Sequence, residues 1–297
     1  SWQYETFTLN NGSASAVQRG NRNLKPSKTA ETEIGLNVDF LKKFSFEAVY
    51  AQSTTDDQFL NVPLLGFLNN GFTRQFRNAG SVDSKTLEFS LGANWVNKKD
   101  FSWSSNIVFS RIRQKITDLP ISPYVFGDTD GGGQQMFYIA GNETYGSMYG
   151  HTWVKSLDQM SKQLPAGKTI ADYEINSAGF VIAKGTQGTI AEKAIKQLDD
   201  KGALLFGKIG DGNADFNMGL ANTFNYKRAT FYFLLDLKKG GDIYNAKGQW
   251  LTRDLRNPEM DMGGVAQADK KAYDYFLNFY DVNTPNSYWV EDGTYLK

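Results

Sequence analysis

Three pairs of segments in this chain alternate apolar and polar side chains with period two, and a short basic turn joins the members of each pair. In TAETEIGLNVDF, Ala30, Thr32, Ile34, Leu36, Val38 and Phe40 are mostly apolar, while Thr29, Glu31, Glu33, Gly35, Asn37 and Asp39 are polar or small. After LKK the pattern resumes in FSFEAVYAQSTT, with Phe44, Phe46, Ala48 and Tyr50 opposite Ser45 and Glu47. Period two belongs to a strand, whose successive side chains point to opposite faces, so two such runs across a short turn predict a β-hairpin. KTLEFSLGANWV and FSWSSNIVFSRI form a second pair around NKKD, with Leu87, Phe89, Leu91, Ala93 and Trp95, then Phe101, Trp103, Ile107 and Phe109, on the apolar side. DFNMGLANTFNY and ATFYFLLDLKKGG form a third around YKRA, with Phe216, Met218, Leu220, Phe224 and Tyr226, then Phe231, Phe233, Leu235 and Leu237.

The connections between pairs are long, covering residues 61–84, 117–215 and 240–292. Short turns alternating with long loops put every short turn on one side of a sheet. Strand parity then requires residues 117–215 to cross that sheet either zero times or twice, and ETYGSMYGHTWVKS is the candidate for an extra strand. In the last loop, Ala272, Tyr275, Phe276 and Phe279 recur at helical spacing, which predicts a short surface helix.

Two architectures use such strands. A soluble sheet buries its apolar face as core and wets the other. An outer-membrane barrel turns the apolar face to lipid, lines its lumen with the polar face and carries aromatic girdles at both ends. Aromatic residues make 14% of the chain, and Phe40, Phe44, Trp95, Phe101, Trp103, Tyr226 and Phe231 flank the short turns, as a girdle would. Periodicity leaves both architectures open. Loop length favours the barrel, which pairs short turns with long external loops, because long structureless loops are uncommon in compact soluble domains. No apolar run is long enough for a transmembrane helix, a test to which barrel strands are invisible. The start SWQYETFTLN has no basic and apolar leader, so the chain is expected to be mature, truncated or cytosolic.

Lys plus Arg (32) balances Asp plus Glu (32), which argues against nucleic acid as a main partner. With no cysteine and only His151, disulfides, thiolate metal sites and multi-histidine sites are excluded, and no cofactor is expected.

NRNLKPSKTAETEIGLNVDF resembles the NPxLKPExxxxxExG segment of TonB-dependent outer-membrane transporters. IGDGNADFNMGLANTFNYKRATFYFLLDLKKGGDIYN and FYDVNTPNSYWVEDGTYLK resemble the C-terminal barrel region of the SusC/RagA branch of that family, found in Bacteroidetes. The resemblance runs from about Asn21 to Lys297, and its last third is the most specific part. It implies an all-β fold, an antiparallel segment of a transmembrane β-barrel within a roughly 22-stranded barrel, with long extracellular loops. It also implies the cell outer membrane of a Gram-negative organism, lipid around the barrel, and import of oligosaccharides or other nutrients, peptides included. The partners it implies are a SusD-like surface lipoprotein at the mouth and TonB-ExbB-ExbD, acting through a plug domain. The sequence departs from the family pattern in carrying no plug, no TonB box, no N-terminal extension and no aromatic-ended final strand, so residues 1–297 are expected to form a partial barrel domain. At Asn23 to Pro26, NLKP matches the family's passage from loop to strand, and Glu31 and Glu33 are placed by the resemblance on the lumen face.

The long loops supply the binding candidates. Tyr124, Tyr138, Tyr149 and Trp153 lie between the second and third pairs, and Trp250, Tyr288 and Trp289 lie beyond the third. Aromatic faces stack on sugar rings and anchor protein contacts, although loop self-packing uses the same residues. The Asp- and Gly-rich stretches at 127–133 and 210–217 could offer oxygen ligands to Ca²⁺, but they lack the twelve-residue loop with its closing Glu, and plain turns are the better expectation. Glu47, Glu88 and Asp236 fall on polar faces and need no catalytic explanation there; His151 sits in an aromatic YGHTW stretch that favours packing over a hydrolytic triad. No enzyme activity is expected. The rival class is a soluble glycan-binding β-sandwich or barrel module, and an enzyme with a converging acid and base pair is the third. The C-terminal alternation from Gly293 predicts the start of a further strand, and hence an open, curved sheet with unpaired edges.

Overall fold

The computed structural model describes residues 6–10, 13–127, 135–280 and 284–297. Among them the largest sheet has seven strands, all antiparallel to their neighbours. In chain order these are β1 (Lys28–Phe40), β2 (Phe44–Asp56), β3 (Ser81–Lys98), β4 (Phe101–Asp118), β5 (Ala214–Tyr226), β6 (Ala229–Gly240) and β7 (Tyr295–Leu296). Their order across the sheet is also their chain order, so each strand lies beside the next in sequence. The sheet is open: β1 and β7 are its two ends.

The predicted hairpins form. Phe40 pairs with Phe44, Lys98 with Phe101, and Tyr226 with Ala229, so each turn is two or three residues long. Leu41, Lys42 and Lys227 take positive φ (53°, 52° and 54°), the left-handed conformation that lets a tight turn follow the right-handed twist of its strands. Lys227 N donates to Asp100 O across 2.9 Å and ties two of these turns together. β4 and β5 pair directly from Ser110 opposite Asn217 to Phe101 opposite Tyr226, so residues 119–213 cross the sheet zero times. The candidate extra strand does form at Ser147–His151, but in another sheet. β7 pairs Leu296 with Leu237 and Tyr295 with Lys238, which places the C-terminal alternation at the sheet's edge.

Register aligns the apolar positions. Val38, Phe46, Leu91, Ile107, Leu220 and Leu235 follow one another across six strands. At the short-turn end, Phe40, Phe44, Trp95, Trp103, Phe224 and Phe231 form a chain of ring contacts with centroid spacings of 5.1, 5.6, 5.7, 5.4 and 6.2 Å. A second aromatic row, Phe46, Phe89, Phe109 and Phe216, climbs toward the long-loop end. The apolar face stays open: Ile34 is 69% exposed and Phe231 62%. Among the described residues no second layer covers it, whereas a soluble sandwich would bury such a face against another sheet.

The packed interior lies elsewhere, in the loops. The described parts of residues 119–213 and 241–294 fold together around Trp153, Phe180 and Ala194 from the first and Tyr275, Phe276, Phe279 and Trp289 from the second. Among the described residues three α-helices sit in this body: α1 (Leu157–Ser161), α2 (Ala246–Arg253) and α3 (Tyr273–Leu277). The helix expected near Ala272 is α3, and it turns Tyr275 and Phe276 into the core. Among the described residues no helix is long and apolar enough to cross a membrane, which leaves strands as the only spanning elements to consider.

Candidate substrate-facing surface

Two loops can act as one surface only if something locks them together, and a buried polar cluster does. Glu192 is fully buried; its Oε1 accepts from Lys271 Nζ at 2.6 Å and from Asn176 Nδ2 at 2.7 Å, and its Oε2 accepts from Gly188 N at 2.8 Å. Asn176 Nδ2 also donates to the Tyr275 hydroxyl at 3.2 Å, while Asn176 Oδ1 accepts from Phe180 N at 2.9 Å. Burial carries the Tyr275 hydroxyl up to about 12. Each ion in the pair is therefore compensated by a counter-charge and by further hydrogen bonds, the condition under which a buried ion pair is tolerated. Close backbone approach adds a second lock: His151 N donates to Pro285 O at 2.9 Å, and a Cβ on Gly150 would collide with that carbonyl.

On this body sits a four-stranded sheet, ordered Phe206–Asp211, Ser147–His151, Phe137–Ile139, Tyr124–Phe126. Its alternation divides the side chains. Ile139 and Met148 are 2% exposed each and face inward. Tyr138 and Tyr149 face the other way, with ring centroids 4.3 Å apart, and Phe206 joins them at 6.4 and 6.0 Å. Phe206 is 42% exposed. Polar groups border the three rings. The Tyr149 hydroxyl donates to Glu143 Oε1 at 2.7 Å, Ser147 Oγ donates to Glu143 Oε2 at 3.0 Å, and Lys208 Nζ lies 3.8 Å from Glu143 and 3.1 Å from Asp211. Burial, and then the hydrogen bond to Glu143, raises the Tyr149 hydroxyl well above its ordinary value, so it remains a neutral donor at physiological pH. Three aromatic faces fringed by a carboxylate, an ammonium and a hydroxyl can stack on flat rings while bonding to hydroxyl groups at their edges.

The seven aromatic candidates are thus distributed. Tyr138 and Tyr149 are brought together; Tyr124 shares their sheet but lies on the opposite face, opposite Ile139, and burial pushes its hydroxyl up to about 12. Trp153 and Trp289 are core, at 2% and 4% exposure, and Trp289 Nε1 donates to Phe279 O at 2.8 Å. Tyr288 stacks on Phe279 at 3.9 Å along the core's edge, and its hydroxyl donates to Glu259 Oε2 at 2.9 Å. Trp250, on α2, carries the Arg253 guanidinium 4.0 Å above its ring. Phe206, Glu143 and Lys208 were not among the sequence candidates; Phe206 ends the apolar run ALLF, a signal that points to a strand but not to this cluster. In GDGNADFN, Asp211 Oδ1 accepts from Asn213 N at 3.0 Å and closes a turn. The other Asp- and Gly-rich stretch lies, from residue 128 onward, outside the described residues. On the polar face of the large sheet, Glu47, Glu88 and Asp236 share a shallow trough of about 570 Å³ with Val49, Val108 and Leu234.

An in-register apolar face left open, aromatic girdles, hairpin turns at one end and a folded loop body at the other define a section of outer-membrane β-barrel wall. The chain belongs to the family described as TonB dependent receptor-like, beta-barrel, whose model matches residues 2–157. It is 26% identical over 286 residues to TonB-dependent receptor P3 of Formosa agariphila, covering 93% of this chain and 27% of that receptor. It is 27% identical over 251 residues to TonB-dependent receptor P39 of the same organism, covering 77% and 23% respectively. The chain therefore spans about a quarter of the length of these curated relatives. Among solved structures it is similar to the RagAB peptide transporter, with a TM-score of 0.61 and 17% identity over 100% of this chain and 31% of that one. The open-open state of the RagAB peptide importer gives a TM-score of 0.60 at 18% identity, over 99% and 30%. These structural matches establish the fold, a portion of a RagA-like barrel, and membership of the receptor family puts that barrel in the outer membrane.

Proposed function

We propose that this chain supplies barrel wall and extracellular binding surface to a TonB-dependent importer of oligosaccharides. The observation that carries this reading is the outward row of Tyr138, Tyr149 and Phe206, with Glu143 and Lys208 at its border, on a loop body joined to the long-loop end of the wall where Ile116 N donates to Glu143 O and Asn142 N donates to Ile116 O. Trp250 and Tyr288 extend the binding surface, while Trp153 and Trp289 hold it from beneath and Tyr124 lies on the inward face, paired with Ile139. Energy reaches the importer through TonB-ExbB-ExbD and a plug domain, and a SusD-like surface lipoprotein closes over the mouth. The relation to RagAB, described as a peptide transporter, makes peptides the competing cargo.

The test is uptake of fluorescently labelled oligosaccharides and peptides by cells carrying the full-length receptor. Tyr149→Ala with Phe206→Ala removes two of the three rings; each stacked ring is worth about 0.5–1.5 kcal/mol, so saccharide uptake at limiting concentration is expected to fall about tenfold. Peptide uptake that falls equally, or saccharide uptake that is unchanged, counts against the assignment.

A further inference from the structure

A second concave site lies apart from the aromatic row, where the segment before β1 folds over the strand Arg74–Asn78. Among the described residues this cleft, of about 560 Å³, is lined by Arg19, Asn21, Asn23, Lys25, Asp57, Gln75, Arg77 and Asn78, with no apolar side chain among them. Three of its four amides, those of Asn21, Gln75 and Asn78, are spent on building it. Asn21 Nδ2 donates to Phe76 O at 2.9 Å, Gln75 Nε2 to Gly20 O at 2.8 Å, and Asn78 Nδ2 to Lys25 O and Asp57 O at 2.8 Å each. Asn78 Oδ1 in turn accepts from Lys25 N at 2.8 Å. The walls are thereby fixed without using any charge.

The arginines are oriented in the same way. Arg77 Nε donates to Gln75 Oε1 at 2.9 Å, and Arg19 Nη1 donates to Asn69 Oδ1 at 2.9 Å. Both partners are neutral. Among the described residues none of Arg19, Lys25 and Arg77 has a carboxylate within ion-pair distance, so three positive charges face one cleft that holds a single carboxylate, Asp57. Guanidinium groups held in place by amides, with their remaining N–H donors unspent, are preorganised for a planar or tetrahedral oxyanion.

We propose that this cleft is an anion-binding subsite that takes the sulfate or carboxylate group of an acidic saccharide. Arg19 and Arg77 bind the oxyanion, Lys25 adds charge, and Asp57 and Asn23 accept and donate to neighbouring hydroxyls. Among the described lining residues nothing receives an apolar side chain, so the peptides that compete for the cleft are acidic ones. This inference rests on the importer reading and deepens it by naming the cargo's charge.

The full-length receptor containing this chain, in detergent, is titrated by calorimetry with a heparin tetrasaccharide, with neutral maltotetraose and with tetraglutamate. The heparin tetrasaccharide is expected to bind best, and Arg19→Gln or Arg77→Gln to weaken it about tenfold each, the effect of losing one charge-assisted hydrogen bond. Arg22→Gln, outside the cleft, is expected to change little, and Arg77→Lys to retain more binding than Arg77→Gln; heat-modifiable gel mobility checks folding of each variant. Absence of heparin binding, binding unchanged in the double glutamine variant, loss as large in Arg22→Gln, or tetraglutamate bound as tightly, overturns the proposal. Maltotetraose bound by the wild type as tightly as the heparin tetrasaccharide overturns it while leaving the importer reading standing; failure of cells to take up any saccharide defeats that reading instead.

Discussion

Ser105 and Asn222 interrupt the apolar alternation of their strands, and in the sheet they stand opposite each other. Asn222 Oδ1 accepts from Ser105 Oγ at 2.6 Å and from Trp103 Nε1 at 3.1 Å, while Trp95 Nε1 donates to Ser105 Oγ at 3.0 Å. Two polar residues on the lipid-side face are thus satisfied by one another and by girdle indoles, as groups in a bilayer must be. Each break was visible in the sequence, but their pairing was not, because it depends on β4 and β5 being neighbours across a loop of about ninety residues. Asn222→Ala is expected to destabilise the barrel by about 1–3 kcal/mol by leaving the donors unpaired, whereas Asn222→Ala with Ser105→Ala and Trp103→Phe recovers part of that loss. Urea unfolding in detergent, followed by tryptophan fluorescence, measures both. The buried pair in the loop body has larger stakes. Glu192→Ala leaves Lys271 charged and unpaired at 8% side-chain exposure, and the expected cost is about 3–5 kcal/mol, read as faster hydrogen exchange across residues 176–194 and 271–279. Exchange confined to one of the two loops would contradict the lock between them.

At the scale of elements, the hairpins were legible because one period, repeated over about a dozen residues and closed by a short turn, has few alternatives. Toward the short turns the expected ends Phe40, Phe44, Phe101, Tyr226 and Ala229 are found, while β3 runs from the expected Val96 on to Lys98. Away from those turns β1, β2, β5 and β6 end within a residue of expectation, whereas β3 and β4 run on to Ser81 and Asp118 through mostly polar residues that alternation no longer marks. The loop body was illegible for another reason. Its core joins Trp153 to Phe279 and Phe180 to Tyr288, partners more than a hundred residues apart with no shared period. Aromatic richness showed that these loops could pack, not which faces would be consumed in packing. Gly150 tests the docking of one loop on the other. With Pro285 O against its Cα, Gly150→Ala is expected to push the strand Ser147–His151 off residues 284–286 and to increase protease cleavage in both loops, while the wall itself keeps its unfolding midpoint.

For the whole molecule the decisive question is which face of the sheet meets which medium. A soluble module and a barrel wall share the same alternation, and the sequence favoured the barrel through loop length and girdle placement rather than through period. Among the described residues the structure adds two facts: the apolar face is in register across six strands and uncovered, and both clusters of buried hydrophobic side chains lie in the loops. Leu220 lies midway between the two aromatic rows, four residues from Phe216 and four from Phe224, and pairs with Ile107 and Leu235. If that face meets hydrocarbon, an arginine there is near the bilayer centre. Leu220→Arg in the full-length receptor is expected to cost about 2–4 kcal/mol of folding free energy in phospholipid vesicles. One residue along the strand, Ala221 pairs with Asn106 and Leu234 on the other face. Ala221→Arg, directed into the lumen, is expected to cost less than half as much. Equal costs for the two substitutions, or a larger cost at Ala221, would reverse the sidedness on which both the wall and its external binding surface depend.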